Sequence, residues 1–107
     1  MRPELLKGHL DLLLLTIVAD EPAHGYAIIE ALRRRSEGVF DLPEGTVYPA
    51  LHRLERAGLL SGRWVDAGGR RRRIYELSGV GAAALKERRR EWLRFATGIQ
   101  SVVGGTA

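Results

Sequence analysis

The chain has 107 residues, of which 45% are hydrophobic and 28% are charged, a composition typical of one small globular domain and not of a disordered segment. Seventeen Lys and Arg residues against thirteen Asp and Glu residues give a net charge of +4, and fifteen of the basic residues are Arg, the side chain best suited to phosphate and guanine. The chain has no Cys, which excludes disulfides, thiolate chemistry and cysteine metal sites.

The first predicted helix runs from Arg2 or Pro3 to Ala19, and apolar side chains lie almost all the way round it. Such a helix must be buried on more than one side, so it is either the central core helix or a helix shared between that core and a second subunit. Its apolar run, LLLLTIVA, is far shorter than the ~20 residues that cross a bilayer. The acidic Glu4 and Asp11 interrupt any signal-peptide layout. We therefore expect a soluble, cytoplasmic protein with no membrane partner.

A second helix follows the break at residues 20–22 and is predicted to begin at residues 23–25 and to end at residues 36–38. Ile28, Ile29 and Leu32 form its inward face. Tyr26 lies in its first turn, where backbone N–H groups point outward. That corner is suited to a phosphate group.

The third predicted helix lies in the segment GTVYPALHRLERAGLL and ends at Gly58. Val47, Leu51 and Leu54 recur at helical spacing and form its core face. The opposite face suits a DNA groove, because it offers guanidinium groups, an imidazole donor and an apolar ring for a thymine methyl. Its outward residues are Pro49, His52, Arg53 and Arg56, with Thr46 and Tyr48 at the edges. We place Pro49 within about the first turn, where its missing N–H costs little.

Two short strands are predicted at Gly62–Asp66 and Arg72–Leu77, with a hairpin turn at Ala67–Gly69. The tip of this hairpin, which we call the wing, carries Arg70, Arg71, Arg72 and Arg73. A run of charges is usually a solvated surface. On a hairpin tip beside a groove-shaped helix, we expect it to contact phosphates or a narrow minor groove.

Ser78 is predicted to cap a last helix at Gly79–Val103, although Gly81 stands where a capping box would have Glu or Gln. Apolar residues recur every seven positions along this helix: Leu85, Trp92 and Ile99 in one row, Phe95 and Val102 in another. One small domain cannot bury both this stripe and the first helix, so we expect a two-fold symmetric homodimer. The expected interface residues are Leu5, Leu6, Leu13, Leu85, Trp92, Phe95 and Ile99.

The order of elements predicts a mainly α fold with an α+β wing: a winged helix-turn-helix with an added C-terminal dimerisation helix. We expect residues 1–78 to form the DNA-binding domain and residues 79–107 the dimerisation helix, together in one compact unit. The third helix would enter the major groove, with Arg53 reading a base, while the wing reaches an adjacent groove. The predicted DNA contacts are Tyr26, Thr46, Tyr48, Pro49, His52, Arg53, Arg70, Arg71, Arg72 and Arg73.

Three segments resemble the PadR family of bacterial transcriptional regulators, in its short form with a single C-terminal helix. They are HGYAI in the second helix, GTVYPALHRLERAGLL in the third, and the wing strand GRRRRIYELS followed by Gly81. The resemblance implies a dimeric repressor whose protomers join through the first and last helices, with Tyr26, Tyr48 and the wing arginines at the phosphates. It also suggests an inverted-repeat operator with half-sites like ATGT and ACAT. The chain departs from the family pattern at Ile74-Tyr75, where members often have an aromatic pair, and at Ser78, where they often have Thr.

Trp92 has two interpretations. At heptad spacing it is most simply an interface anchor, because a large aromatic side chain buries much area. The family resemblance supplies the second interpretation, since in some short members a tryptophan of the last helix lines a pore between subunits and stacks on flat, drug-like molecules. A small planar aromatic effector would then release the repressor from DNA.

The main alternative is a basic protein-interaction module, in which the wing and the third helix bind an acidic protein. An enzyme is not expected, and neither is a cofactor, because no Ser/His/Asp arrangement, phosphate-binding loop or carboxylate pair can be placed in a shared cleft. His9, His24 and His52 fit no recognised zinc motif, so we expect no metal site.

Overall fold

Five helices and three strands lie in residues 3–105, the part of the chain that the computed structural model describes. In chain order they are α1 (Pro3–Leu6), α2 (Leu10–Asp20), β1 (Ala23–His24), α3 (Gly25–Arg35), α4 (Glu44–Arg56), β2 (Leu60–Ala67), β3 (Arg70–Leu77) and α5 (Gly79–Val103). Helices α2, α3 and α4 pack against one another and against the small sheet, and α5 packs against α2. None of the helices in these residues is long and apolar enough to cross a membrane.

The single first helix predicted from residue 2 or 3 to residue 19 is wrong, because the structure has two helices, α1 and α2, separated at Gly8. The predicted start at Arg2 lies outside the described residues. Gly8 has a φ of +90°, in the left-handed region that glycine adopts without a Cβ penalty. The N–H of His9 donates to the carbonyl of Leu6 at 2.9 Å, and the chain turns before α2 begins.

The hydrophobic core lies where α2, α3 and α4 meet the sheet. Its buried side chains are Leu14, Leu15, Ile17, Val18, Ile28, Ile29, Leu32, Val47, Ala50, Leu51, Leu54, Leu60, Tyr75 and Leu85. Burying one large apolar side chain contributes roughly 1.5–3 kcal/mol, so these residues account for much of the packing energy. The C-terminal half of α2 therefore lies in the core of its own protomer, while Leu12 and Leu13 in its N-terminal half are only partly buried.

The sheet has three antiparallel strands in the order β1-β3-β2. Strand β1 was not predicted, because its two residues are too few to show a periodicity. The wing strands extend further than predicted, since they pair from Leu60 with Leu77 to Ala67 with Arg70. The turn is therefore the two residues Gly68 and Gly69, with φ values of +57° and +80°, which suit the positive φ of a tight hairpin.

Helix α4 presents the outer face on which the candidate site is built. Pro49 is its sixth residue and not a first-turn residue, so the expected placement was wrong. At that position Pro lacks an N–H that would bond to the carbonyl of Gly45. The helix holds because Val47, Leu51 and Leu54 on the opposite face are buried. The helix ends at Arg56, two residues before the predicted end at Gly58, and Gly58 has the positive φ of +81° at which the chain turns away.

Helix α5 begins where the sequence predicts, with Ser78 as its cap. The Ser78 hydroxyl accepts a hydrogen bond from the N–H of Gly81 at 2.9 Å and donates to the carbonyl of Gly58 at 2.6 Å. Gly81 is buried, and a Cβ on it would lie well inside van der Waals distance of the Leu59 carbonyl oxygen. A capping-box Glu cannot occupy position 81, because the first turn of α5 approaches the backbone after α4 too closely.

Candidate nucleic-acid interface

The outer face of α4 lies where the sequence predicts. Pro49, His52 and Arg56 are exposed, and Thr46 and Tyr48 are partly buried at the edges. A surface hollow of about 830 Å³ on this face is lined by Pro49, His52, Arg53, Glu55 and Arg56. A face with one carboxylate among three basic side chains suits an anionic partner.

A second hollow, which we call the wing groove, lies between α4, the start of α3 and the two long strands of the wing. Its volume is about 830 Å³, and all four arginines of the wing, Arg70 to Arg73, line it. His52 and Glu55 line both the wing groove and the hollow on the outer face of α4. The two surfaces are therefore adjacent.

Tyr48 and Tyr26 lie together at the start of α3. A Cβ on Gly25 would lie 2.6 Å from Cζ of Tyr48, so the tyrosine ring packs directly on the backbone of Gly25. This contact fixes α4 against the first turn of α3, and it requires a glycine. Tyr26 is 58% exposed beside it. The predicted phosphate corner therefore has an exposed tyrosine in the first turn of a helix.

We expected Arg73 to be free at the tip of the wing, but the structure shows it paired with a carboxylate. It forms an ion pair with Glu55 of α4, in which its Nε–H donates to Oε1 at 3.3 Å and Nη2 donates to Oε2. Both side chains are about one quarter exposed, at 25% and 24%. The hydrogen bond from Arg73 is the main cause that lowers the pKa of Glu55. Arg73 therefore attaches the wing to α4 and is the least available of the four arginines for phosphate.

Trp64 also lines the wing groove, and the sequence analysis did not single it out. It lies opposite Arg73 in β2, and the guanidinium carbons of Arg71 and Arg73 are 4.9 Å and 5.2 Å from its ring centroid. Both distances are within the range of cation–π contacts. Trp64 is 57% exposed, so the ring also faces solvent. The two-residue turn at Gly68-Gly69 gives this pairing. The three-residue turn predicted from the sequence, Ala67–Gly69, shifts the register of β2 and β3 by one residue, so it did not place Trp64 opposite Arg73.

Arg72 lies against His24 at the start of α3. Its Nη1 is 2.8 Å from Nε2 of His24, while Nδ1 of the same ring accepts the N–H of Ala27 at 3.3 Å. A neutral imidazole has only one acceptor nitrogen, so the ring can accept from one of these donors at a time. Desolvation is the main cause that lowers the pKa of His24, and the charge of Arg72 lowers it further. His24 is the N-cap residue of α3, because its Nδ1 accepts the N–H of Ala27.

The prediction that Arg53 contacts a base assumed a free guanidinium on the outer face of α4. In the structure the guanidinium of Arg53 is paired with a carboxylate. Its Nη2 donates to Oδ1 of Asp11 at 2.7 Å, and its Nη1 donates to Oδ2 at 3.0 Å. Arg88 of α5 also donates to Oδ2 of Asp11, at 3.3 Å. The hydrogen bond from Arg53 is the main cause that lowers the pKa of Asp11. One carboxylate on α2 therefore holds side chains from α4 and α5, a contact that no local sequence pattern predicts.

The residues predicted to form the dimer interface fall into three groups by their exposure. Leu85 is only 5% exposed, so it belongs to the core of its own protomer and has almost no surface for a partner, contrary to expectation. Leu6 and Leu13 are partly buried. The exposed members are Leu5, Trp92, Phe95 and Ile99. An apolar hollow of about 620 Å³ between α1, α2, α3 and α5 has Leu5, Leu13 and Trp92 in its wall.

Acid is expected to destabilise the fold through Asp11 and Glu55, whose pKa values are both lowered by their arginine partners. A carboxylate with a lower pKa in the folded state stabilises the fold above its unfolded pKa, and this contribution is lost as the pH falls through the folded value. Urea unfolding measured from pH 6 downward should therefore show stability falling below about pH 4.5. Asp11→Asn should lose stability less steeply there. If the unfolding free energy of Asp11→Asn fell with pH as steeply as that of the wild type, the role of Asp11 would be contradicted.

Comparison with known proteins gives consistent matches. The model of the transcriptional regulator PadR-like family matches residues 14–87. The transcriptional regulator Rv3488 of Mycobacterium tuberculosis is 37% identical over 105 residues, which cover 95% of each chain. The structure of a PadR family transcriptional regulator from Eggerthella lenta has a TM-score of 0.83 and 30% identity, over 96% of this chain and 88% of its own. A PadR-like transcriptional regulator of Bacillus cereus also has a TM-score of 0.83, at 26% identity over 96% of this chain and 99% of its own.

These matches extend over the helix-turn-helix, the wing and the long last helix. They confirm the winged-helix fold predicted from the sequence, and they confirm the family resemblance. The family consists of regulators of transcription and not of enzymes. This chain belongs to the PadR-like family of transcriptional regulators.

Proposed function

We propose that the protein is a cytoplasmic repressor that binds an inverted-repeat DNA operator as a homodimer. The observation that carries the DNA-binding part is the adjacency of two basic surfaces, the outer face of α4 and the wing groove, which share His52 and Glu55. A helix that enters the major groove beside a hairpin that reaches the backbone needs this arrangement. The net charge of +4 favours the same polyanionic partner.

Selection from random DNA tests this function. We expect inverted repeats whose half-sites are about one helical turn, ~34 Å, apart, because a two-fold protein reads two-fold DNA. The family resemblance suggests half-sites like ATGT and ACAT, and footprinting on the protein's own promoter would locate one. Recovery of single asymmetric sites would contradict the dimeric geometry. Salt-sensitive binding to an acidic protein without any DNA sequence preference would instead support the interaction module.

The proposed dimer uses the second half of α5. Trp92, Phe95 and Ile99 are 43%, 57% and 48% exposed within one protomer, and Leu5 on α1 is also exposed. Large apolar side chains that recur on one helix at seven-residue spacing are typical of a helix that packs against another. Residues 1–78 would then bind DNA while residues 79–107 join the protomers.

Ile99→Asp should convert the dimer into a folded monomer, because the Ile99 side chain is about half exposed and contributes little to the core of its own protomer. Sedimentation at micromolar concentration measures the change. Val80→Asp is the matched control, since Val80 is 65% exposed on the first turn of the same helix and outside the proposed interface. Leu85→Asp should unfold the protein, because Leu85 is in the core. A wild-type protein that sediments as a monomer would contradict the dimer.

We also propose that a small planar aromatic effector binds at Trp92. A hollow of about 370 Å³ is lined by the apolar and aromatic side chains of Leu12, Trp92 and Phe95 and by the polar side chains of His9, Arg88 and Glu91. Apolar and aromatic walls with a few polar groups are typical of small-ligand sites. Flat aromatic compounds should quench the fluorescence of Trp92 in a Trp64→Phe background and weaken operator binding. Compounds that bind equally well to Trp92→Ala would contradict the site.

A further inference from the structure

We propose that Asp11 is a positioning residue for DNA recognition: its carboxylate orients the guanidinium of Arg53 so that the remaining donors of Arg53 face the DNA. The proposal rests on the proposed DNA-binding function. It assigns a role in recognition to a residue on α2, outside the helix-turn-helix face and the wing.

The first argument is the geometry of the pair. Arg53 uses one N–H of Nη1 and one of Nη2 on the two oxygens of Asp11, at 3.0 Å and 2.7 Å. A guanidinium has five N–H donors, so Nε–H and one N–H on each Nη remain for a partner. A bidentate pair fixes the plane of the guanidinium as well as its position. The pair therefore sets the direction of the three remaining donors.

The second argument is the unequal exposure of the two side chains. Asp11 is 15% exposed and Arg53 is 59% exposed, so the carboxylate lies inside while the guanidinium lies at the surface. Arg53 lines the hollow on the outer face of α4 together with His52 and Arg56. The remaining donors are therefore available on the face that we propose meets DNA.

The third argument is that Asp11 is itself held in place. Arg88 of α5 donates to its Oδ2 at 3.3 Å, and Asp11 lies in the first turn of α2, where a negative charge interacts favourably with the helix dipole. A free arginine loses much side-chain freedom when it contacts DNA. Because Asp11 already restrains Arg53 in the unbound protein, most of that ordering is complete before DNA binds.

The test is a double-mutant cycle on operator affinity with Asp11→Asn, Arg53→Ala and the double variant. Asp11→Asn should weaken operator binding about 5–10-fold, a loss of the size expected for one well-placed charged pair, and should change binding to scrambled DNA less than about twofold. In the Arg53→Ala background the same change should have almost no effect on operator binding. Asp20→Asn is the matched control, because Asp20 is also a carboxylate of α2 that pairs with an arginine, at 2.5 Å from Nη1 of Arg35 on α3. It should leave the preference for operator over scrambled DNA unchanged.

Three outcomes would overturn the proposal. Asp11→Asn could bind the operator more tightly than the wild type, or its loss of operator affinity could be the same with and without Arg53. The third outcome is that Asp11→Asn loses as much affinity for scrambled DNA as for the operator. If Asp11→Asn does not fold, Arg53→Lys decides, because it keeps the charge but cannot form the bidentate pair; it should show the same operator-specific loss. Wild-type protein without any DNA sequence preference would contradict the proposed function itself, which is a different result from an additive cycle.

Discussion

Replacing Gly81 with Ala is expected to lower the free energy of unfolding by about 3 kcal/mol or more, the range of severe overpacking. A Cβ at this position would overlap the carbonyl oxygen of Leu59 and lie 2.9 Å from its carbonyl carbon. That neighbour is backbone, and it also accepts the hydrogen bond of the Ser78 N–H at 3.1 Å. Because the backbone cannot move aside like a flexible side chain, the first turn of α5 must shift and lose its cap.

Gly79→Ala is the matched control for this prediction. Gly79 lies in the same turn of α5, and a Cβ on it would meet nothing within 4 Å. The change should be neutral or stabilise by up to about 1 kcal/mol, because Ala favours the helix and restricts the unfolded chain. Urea unfolding of both variants measures the difference. Equal stabilities would show that the approach of α5 to Leu59 is not as close as the structure has it.

Local patterns were enough to predict the elements that form the core and the candidate interface. The spacing of Val47, Leu51 and Leu54 placed the core face of α4, and therefore the outward position of His52. Ser78 predicted the start of α5. Each of these predictions depends on residues within a turn or two of one another, where helical periodicity and capping chemistry are strong.

The sequence did not predict features that depend on distant contacts or on the exact backbone geometry of a turn. Gly8 breaks the first helix, although the apolar pattern continues across it. A two-residue turn at Gly68-Gly69 moves Trp64 opposite Arg73, and a one-residue error in its length hides that pair. Arg53 and Asp11 are 42 residues apart, and only the packing of α2 against α4 brings them together. The four wing arginines, Arg70 to Arg73, look alike in the sequence for the same reason, although in the structure Arg72 contacts His24 and Arg73 pairs with Glu55.

Replacing Arg71 and Arg72 together with Ala is expected to weaken binding to operator and scrambled DNA alike, on the order of 100-fold at low salt. Both side chains are exposed, and neither is paired with a carboxylate in the described part of the chain. Each can therefore neutralise a phosphate. A dimer that loses four such contacts should show a slope of log K against log salt that is smaller by about 3.6, or ~0.9 for each contact. The measurement is a salt series on both DNAs.

Arg90→Ala with Arg94→Ala is the control for the charge itself, because it removes the same two positive charges from exposed positions of α5. It should leave the slope nearly unchanged, since contacts and not net charge set the number of counterions released. Arg73→Ala should differ from both, because it leaves Glu55 without its partner next to the wing groove. We expect it to lower stability as well as DNA affinity, since an unpaired carboxylate there repels phosphate. If all three changes weakened binding equally, the wing arginines would act only through net charge, and the division between phosphate contacts and the structural pair would be wrong.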